Sequence, residues 1–162
     1  MALLKRFTAI SLVGLLLGTV LPLKVSANHI PASTSIIQIT NATASFDPTV
    51  GQTASINYTV TGPSTANEVL IRIYEAHTTT PPRLCSDTPA NLRATIEGPV
   101  NRPVGSYTAV WTGKNLAEPG NPAFPPRLYC YTVRWGNPPA GATALQEGYI
   151  SIVPPGTNGT GT

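Results

Sequence analysis

A chain of 162 residues has room for one compact domain and not for a second catalytic lobe. Charged residues make up only 10% of it, and 17 Pro and 14 Gly punctuate it throughout, a balance that excludes long charge-decorated helices. The formal charge of +3 is no nucleic-acid footprint: Lys5, Arg6 and Lys24 lie in an N-terminal segment expected to be removed, and residues 28–162 then balance seven Lys or Arg against seven Asp or Glu.

That N-terminal segment, residues 1–27, has the three parts of a secretory signal peptide. A positive start ends in Lys5-Arg6, an apolar run extends from Phe7 to Leu17, and the small residues Val25-Ser26-Ala27 form the cleavage site, so the expected cut lies between Ala27 and Asn28. The rival reading is a membrane anchor. The uninterrupted apolar run is about 11 residues, short of the roughly 20 needed to span a bilayer. Gly18, Pro22 and Lys24 break its end. The product is therefore expected to be secreted or periplasmic, with no membrane span in the mature chain.

Residues 28–43 read as a lead-in, with Ile36 to Ile39 as a first candidate strand. Residues 44–153 read as the folded domain. Within it Ala42 to Phe46 is strand-like, and Asp47-Pro48 with Val50-Gly51 makes a corner. Ala54 to Val60 alternates, with Ile56, Tyr58 and Val60 on one face, as a half-buried strand does. After the Gly62-Pro63 break, Glu68 to Glu75 places Val69, Ile71 and Ile73 inward. A Thr- and Pro-rich connection, His77 to Pro89, carries Cys85. Leu92, Ala94 and Ile96 alternate again, and Gly98-Pro99 is expected to end that strand.

Gly105 to Trp111 is the next strand, stopped by Gly113, where a positive φ lets the chain reverse directly after a large ring that caps the core. A proline-dense loop from Glu118 to Arg127 leads to Leu128 to Trp135. Asn137-Pro138-Pro139 and Gly141 turn the chain into a last strand, Leu145 to Val153. Residues 154–162 are a Pro, Gly and Thr tail expected to stay disordered. About seven short strands at turn-marked spacing, with no helical period, predict an all-β antiparallel sandwich; a barrel is the alternative.

The two cysteines, Cys85 and Cys130, meet an oxidising compartment on this reading, and a disulfide between them is expected; two separate thiols are the alternative. Closing a loop of about 46 residues stabilises a fold by roughly 4 kcal/mol on the chain-entropy account. No C-x-x-C spacing joins them to His29 or His77 in a zinc site. Asp47 and Asp87 stand outside any D-x-D-x-D cluster, so neither a metal nor a cofactor is expected.

The pieces Ser45-Phe46-Asp47-Pro48, Ala54 to Val60, Val69 to Tyr74, Gly105-Ser106-Tyr107, Trp111-Thr112-Gly113-Lys114-Asn115 and Tyr129 to Val133 together resemble the FlgD Ig-like domain over residues 44–135. The turn Trp111, Thr112, Gly113, Lys114, Asn115 is the centre of that likeness, with Thr112 where the family usually has Asp. Arg127 stands where the family has glycine two residues before Tyr129. The resemblance implies a bacterial Ig-like module for scaffolding and assembly, with no catalytic residues to carry over.

The chemistry-bearing residues are sparse. There is no G-x-S-x-G elbow, no H-E-x-x-H and no phosphate-cradling glycine loop. Glu68, Glu75, Glu97 and Glu118 fall at strand ends or loops, where solvated charge is the ordinary expectation. An enzyme is therefore not expected. Two readings remain: a structural or protein-binding module that docks a protein partner or its own copies through strand edges, and a polysaccharide-binding module using Tyr74, Trp135 and Tyr149 as exposed sugar platforms. Three Asn-x-Thr triplets, at Asn41, Asn57 and Asn158, are read as coincidence in a Thr-rich chain.

Overall fold

A computed structural model of the chain describes residues 34–76, 85–140 and 144–160. The expected signal peptide, its cleavage site at Ala27 and Asn28, and both histidines lie outside the described residues. Eight strands form: β1 (Ile36–Ala42), β2 (Ser45–Phe46), β3 (Ala54–Thr61), β4 (Ala66–Glu75), β5 (Leu92–Arg102), β6 (Gly105–Trp111), β7 (Arg127–Arg134) and β8 (Leu145–Ile152). Short 3-10 turns sit at Pro48–Val50 and Pro89–Asn91.

They make two sheets, ordered β1-β3-β6 and β2-β8-β7-β4-β5. Hairpins join β4 to β5 and β7 to β8 within one sheet, while the chain crosses between sheets from β3 to β4, from β5 to β6 and from β6 to β7. This is the antiparallel sandwich that the strand spacing predicts, of the Ig-like kind that the resemblance implies. The expected antiparallel pairing holds everywhere except β2, which lies parallel to β8 through Ser45↔Ser151 and Phe46↔Ile152. The chain changes sheets between β1 and β2, so one N-terminal stretch serves both layers.

Alternation builds the core. Ile56, Tyr58 and Val60 of β3, Val69, Ile71 and Ile73 of β4, and Tyr129, Tyr131 and Val133 of β7 are all buried. Their inward placement follows from period-two geometry and from the apolar area removed from water. β7 departs from simple alternation, since Cys130 and Thr132 on its other face are also buried.

Three boundaries differ from those read in the sequence. Residues 34–43 are part of the sandwich rather than a lead-in: β1 pairs with β3 from Ile36↔Thr61 to Ala42↔Ile56. Ser35 is fully buried, and its backbone N–H and hydroxyl donate to the Asn137 carbonyl and side-chain oxygens at 2.9 Å each. β5 runs on through Gly98-Pro99 to Arg102, because a bulge absorbs the irregularity. Gly98 has φ +109°, and a Cβ there would lie 2.3 Å from the Val69 carbonyl oxygen, so only glycine passes.

The third boundary is the tail, which is ordered through residue 160. Val153 N–H donates to the Phe46 carbonyl at 3.0 Å, Gly156 N–H to Asp47 Oδ2 at 3.0 Å, and the Thr160 hydroxyl to the Ser45 carbonyl at 3.1 Å. Composition predicts disorder because the tail has little apolar surface; backbone hydrogen bonds hold it instead.

Asp47 links this tail to the corner after β2. Its carboxylate accepts from the Thr49 hydroxyl at 2.5 Å, from Thr49 N–H at 2.8 Å and from Gly156 N–H. The Thr49 hydroxyl does most to hold the Asp47 pKa below its ordinary value, against opposing desolvation. A depressed folded-state pKa means that this stabilisation is complete above about pH 4 and is lost as pH falls through the folded value. Asp47→Asn is expected to give a lower stability at neutral pH and a flatter loss of stability as pH falls below about 4. Urea titrations at several pH values check this; parallel stability curves for the two proteins would rule it out.

Candidate interaction surface

The family-like turn comes first, because it anchors one pole of the sandwich. Trp111 is 2% exposed and packs edge-on to Phe46 at 5.3 Å and Tyr129 at 5.2 Å between centroids, with Phe124 at 6.1 Å. Gly113 has φ +66°, and a Cβ there would meet Phe46 Cζ at 2.7 Å. The positive φ expected at Gly113 is therefore joined by a second requirement, close approach to the Phe46 ring. Thr112 and Lys114 are exposed, and Asn115 folds the following loop by donating to Glu118 Oε1 at 2.6 Å while accepting from Ala117 N–H at 3.2 Å.

The expected disulfide between Cys85 and Cys130 is present, with Cα atoms 5.6 Å apart. It lies on the outer face of the five-stranded sheet in a second apolar cluster with Tyr74, and Ala76, Leu92 and Tyr149 pack against it. That cluster accounts for the buried outer face of β7. It also corrects the reading of the aromatics as sugar platforms. Tyr74 is 2% exposed and Trp135 6%, and the Tyr149 hydroxyl is buried beside the disulfide cluster. Trp135 donates its indole N–H to the Ser35 carbonyl at 3.1 Å, so it closes the opposite pole instead of facing solvent.

The carboxylates are more engaged than their positions suggest. Glu97, expected to be solvated, has a side chain only 8% exposed. It accepts from Tyr58 Oη at 2.5 Å and Arg102 Nε at 2.7 Å. Burial, reinforced by Glu97, pushes the Tyr58 phenol well above its ordinary pKa, and Glu97 likewise raises that of Arg102. The Arg102 guanidinium lies 4.8 Å over the Tyr107 ring, which stacks on Tyr58 at 5.5 Å. Glu75 is held between Arg93 and Arg127, and Asp87 pairs with Arg134. Among the described residues no group of three or more His, Cys, Asp or Glu is arranged to hold a metal ion.

The sandwich has four sheet edges, and they are treated differently. On one side, Gln146 of β8 accepts from Ile39 N–H at 3.0 Å and donates to the Ile37 carbonyl, so a side chain satisfies the free edge of β1. β2 is two residues long and carries the Thr160 contacts. On the other side lie β5 and β6. Between them opens a cleft of 340 Å³, walled by Arg93–Ile96 of β5, by Val110 and Trp111 of β6, and by the loop through Lys114 and Leu116. No carboxylate lines it, and Leu116 at its rim is 73% exposed.

A second hollow, of 420 Å³, places Asn41 and Asn57 beside Thr43 and Thr160. The threonines of two Asn-x-Thr triplets have structural work there: Thr43 Oγ1 accepts from Ser55 N–H at 2.9 Å, and Thr160 Oγ1 accepts from Ser45 N–H at 3.1 Å. Neither hydroxyl needs a glycan to explain it.

Neither a protein-family model nor a curated protein matches the chain. Solved structures align with it only weakly. A β-glucosidase from Listeria innocua in complex with glucose aligns at 8% identity and TM-score 0.44, over 76% of this chain and 16% of the enzyme chain. The same enzyme with isofagomine gives 9%, 0.44, 76% and 16%, and a mutant of it with laminaribiose gives 9%, 0.42, 75% and 16%. The chain thus spans about one sixth of the glycosidase chains it matches, at an identity and a superposition that carry no inference about activity.

Proposed function

We propose that this chain is a non-catalytic, exported Ig-like module of the FlgD Ig-like type, with a scaffolding or protein-binding role at the cell surface or in the periplasm. The observation that supports this reading is the contrast between its chemistry and its edges. Asp47, Glu75, Asp87, Glu97 and Glu118 are all occupied by hydrogen bonds or ion pairs that hold the fold together. Beside β5 and β6, meanwhile, the sandwich offers a carboxylate-free cleft between two sheet edges, lined by Val110 and Leu116 together with Arg93 and Lys114. Edge strands recognise proteins through backbone hydrogen bonds that need no catalytic side chain. The disulfide, and the lack among the described residues of a helix long and apolar enough to cross a membrane, agree with an exported module.

The polysaccharide reading loses two of its three platforms with the burial of Tyr74 and Trp135. The test is native electrophoresis of the oxidised protein through gels carrying common polysaccharides, alongside size measurement in the exported fraction of its source. Unretarded migration with a complex of defined composition is the expected result. Retardation by one polysaccharide, with the protein otherwise alone, would replace this proposal with carbohydrate binding.

A further inference from the structure

We infer that β6 is a self-association edge: two copies of the chain pair β6 with β6 antiparallel about a two-fold axis, joining their three-stranded sheets into one of six strands. This rests on the protein-binding reading and names the partner as a second copy.

The argument starts from what natural sandwiches do with edges. An unpaired edge strand is a template for another chain, and proteins blunt it with charge, proline, bulges, short length or a covering group. Three edges here are blunted in those ways. β1 is hydrogen-bonded by Gln146, and its register shifts between Ile39 and Asn41. β2 is two residues long and holds the tail. β5 carries Arg93, Arg102 and Pro99 and pairs with β4 through repeated register shifts.

Among the described residues β6 has none of these devices. Its sequence, Gly105-Ser-Tyr-Thr-Ala-Val-Trp111, has no charge and no proline, and it pairs with β3 in unbroken register from Ala54↔Trp111 to Val60↔Gly105. It is a regular seven-residue strand that, among the described residues, has a paired strand on one side only.

Exposed apolar surface gathers at the same place. Of the five large hydrophobic residues exposed among the described residues, Val110 lies on β6, Val104 directly precedes it and Leu116 shares the adjoining cleft with Val110. Exposed apolar groups clustered along an open edge mark a surface that gains by being covered.

The partner is a second copy because an isologous interface must tolerate every residue meeting its own surroundings again. A charged edge would place like charges near the axis, which disfavours pairing. β6 itself places none; Arg93 and Lys114 line the adjoining cleft and are not on the strand. The balanced charge of residues 28–162 likewise removes the long-range repulsion between copies.

The experiment uses the exported, oxidised protein as released by its host. Static light scattering over a concentration series is combined with amide hydrogen exchange at low and high concentration. The expected result is growth from monomer to dimer mass, with β6 amides gaining protection as the dimer forms. Val110→Lys, at a position 48% exposed, is expected to raise the dimer dissociation constant at least about tenfold without lowering the thermal midpoint of the monomer. Ile36→Lys, an equally exposed apolar position at the opposite edge, is expected to leave dimerisation unchanged.

A strict monomer at all concentrations overturns self-pairing. A dimer that ignores Val110→Lys, or that gains protection at β1 instead of β6, overturns it as well. A strict monomer leaves the protein-binding proposal standing on heterologous partners, whereas retardation in the polysaccharide gels removes that proposal while the dimer measurement still reads β6.

Discussion

Trp111→Ala is expected to cost about 3–5 kcal/mol of unfolding free energy, the range for deleting a large aromatic side chain from a core. That is a large share of the roughly 5–15 kcal/mol that keeps a domain folded. The loss exceeds simple area because three rings converge on the indole and two of them meet it edge-on; such pairs add about 0.5–1.5 kcal/mol beyond burial. Trp111→Phe is expected to lose much less, since a ring remains and the indole N–H it removes has no protein acceptor among the described residues. Urea unfolding followed by far-ultraviolet circular dichroism measures both. A loss below about 1 kcal/mol for the alanine variant would show that the pole collapses without its central ring.

Opening the Cys85–Cys130 bridge is the second large effect. The bridge spans a sequence separation of 45 residues, for which the chain-entropy account gives about 4 kcal/mol. The double variant Cys85→Ala, Cys130→Ala should therefore melt roughly 10–20 °C below the parent. It also thins the small apolar cluster that Tyr74, Leu92 and Tyr149 make around the sulfurs. Reduction of the parent protein separates the two contributions, because it opens the loop and keeps the atoms. If reduced and oxidised protein unfold at the same urea concentration, the bridge contributes nothing and the outer cluster alone holds the segment at Cys85.

Much of the sandwich is legible in the sequence because its signals are local. Ile56, Tyr58 and Val60, and then Val69, Ile71 and Ile73, advertise an inward face by alternation alone, and the structure buries all six. Gly113 after Trp111 announces a positive φ, which the structure gives it, while the chain turns back only in the loop after Asn115, with Lys114 paired antiparallel to Ala123. Two cysteines in a chain with an export-like start predict the bridge that forms.

What the sequence conceals is long-range. Tyr74 and Tyr149 alternate out of the inner face, so an outward reading is natural, and the second layer built at Cys85 packs against them. Trp135 shares the inner parity of Tyr129, Tyr131 and Val133, and its indole N–H reaches the Ser35 carbonyl, 100 residues earlier. Glu97 looks like a solvated strand-end charge until β3 and the end of β5 bring Tyr58 and Arg102 to it. The tail lacks apolar residues, and its order comes from pairing with Ser45 and Asp47, more than 100 residues away.

The sequence by itself determined the fold class, the strands, the positive φ at Gly113 and the cysteine pair, because alternation, turn chemistry and loop closure act within a few residues or depend only on residue type. Only the tertiary structure decided which aromatics are exposed, which carboxylates are occupied and which of four sheet edges lies open. Each of those depends on what two distant segments place against the residue, and a residue's own neighbours in sequence carry no record of that.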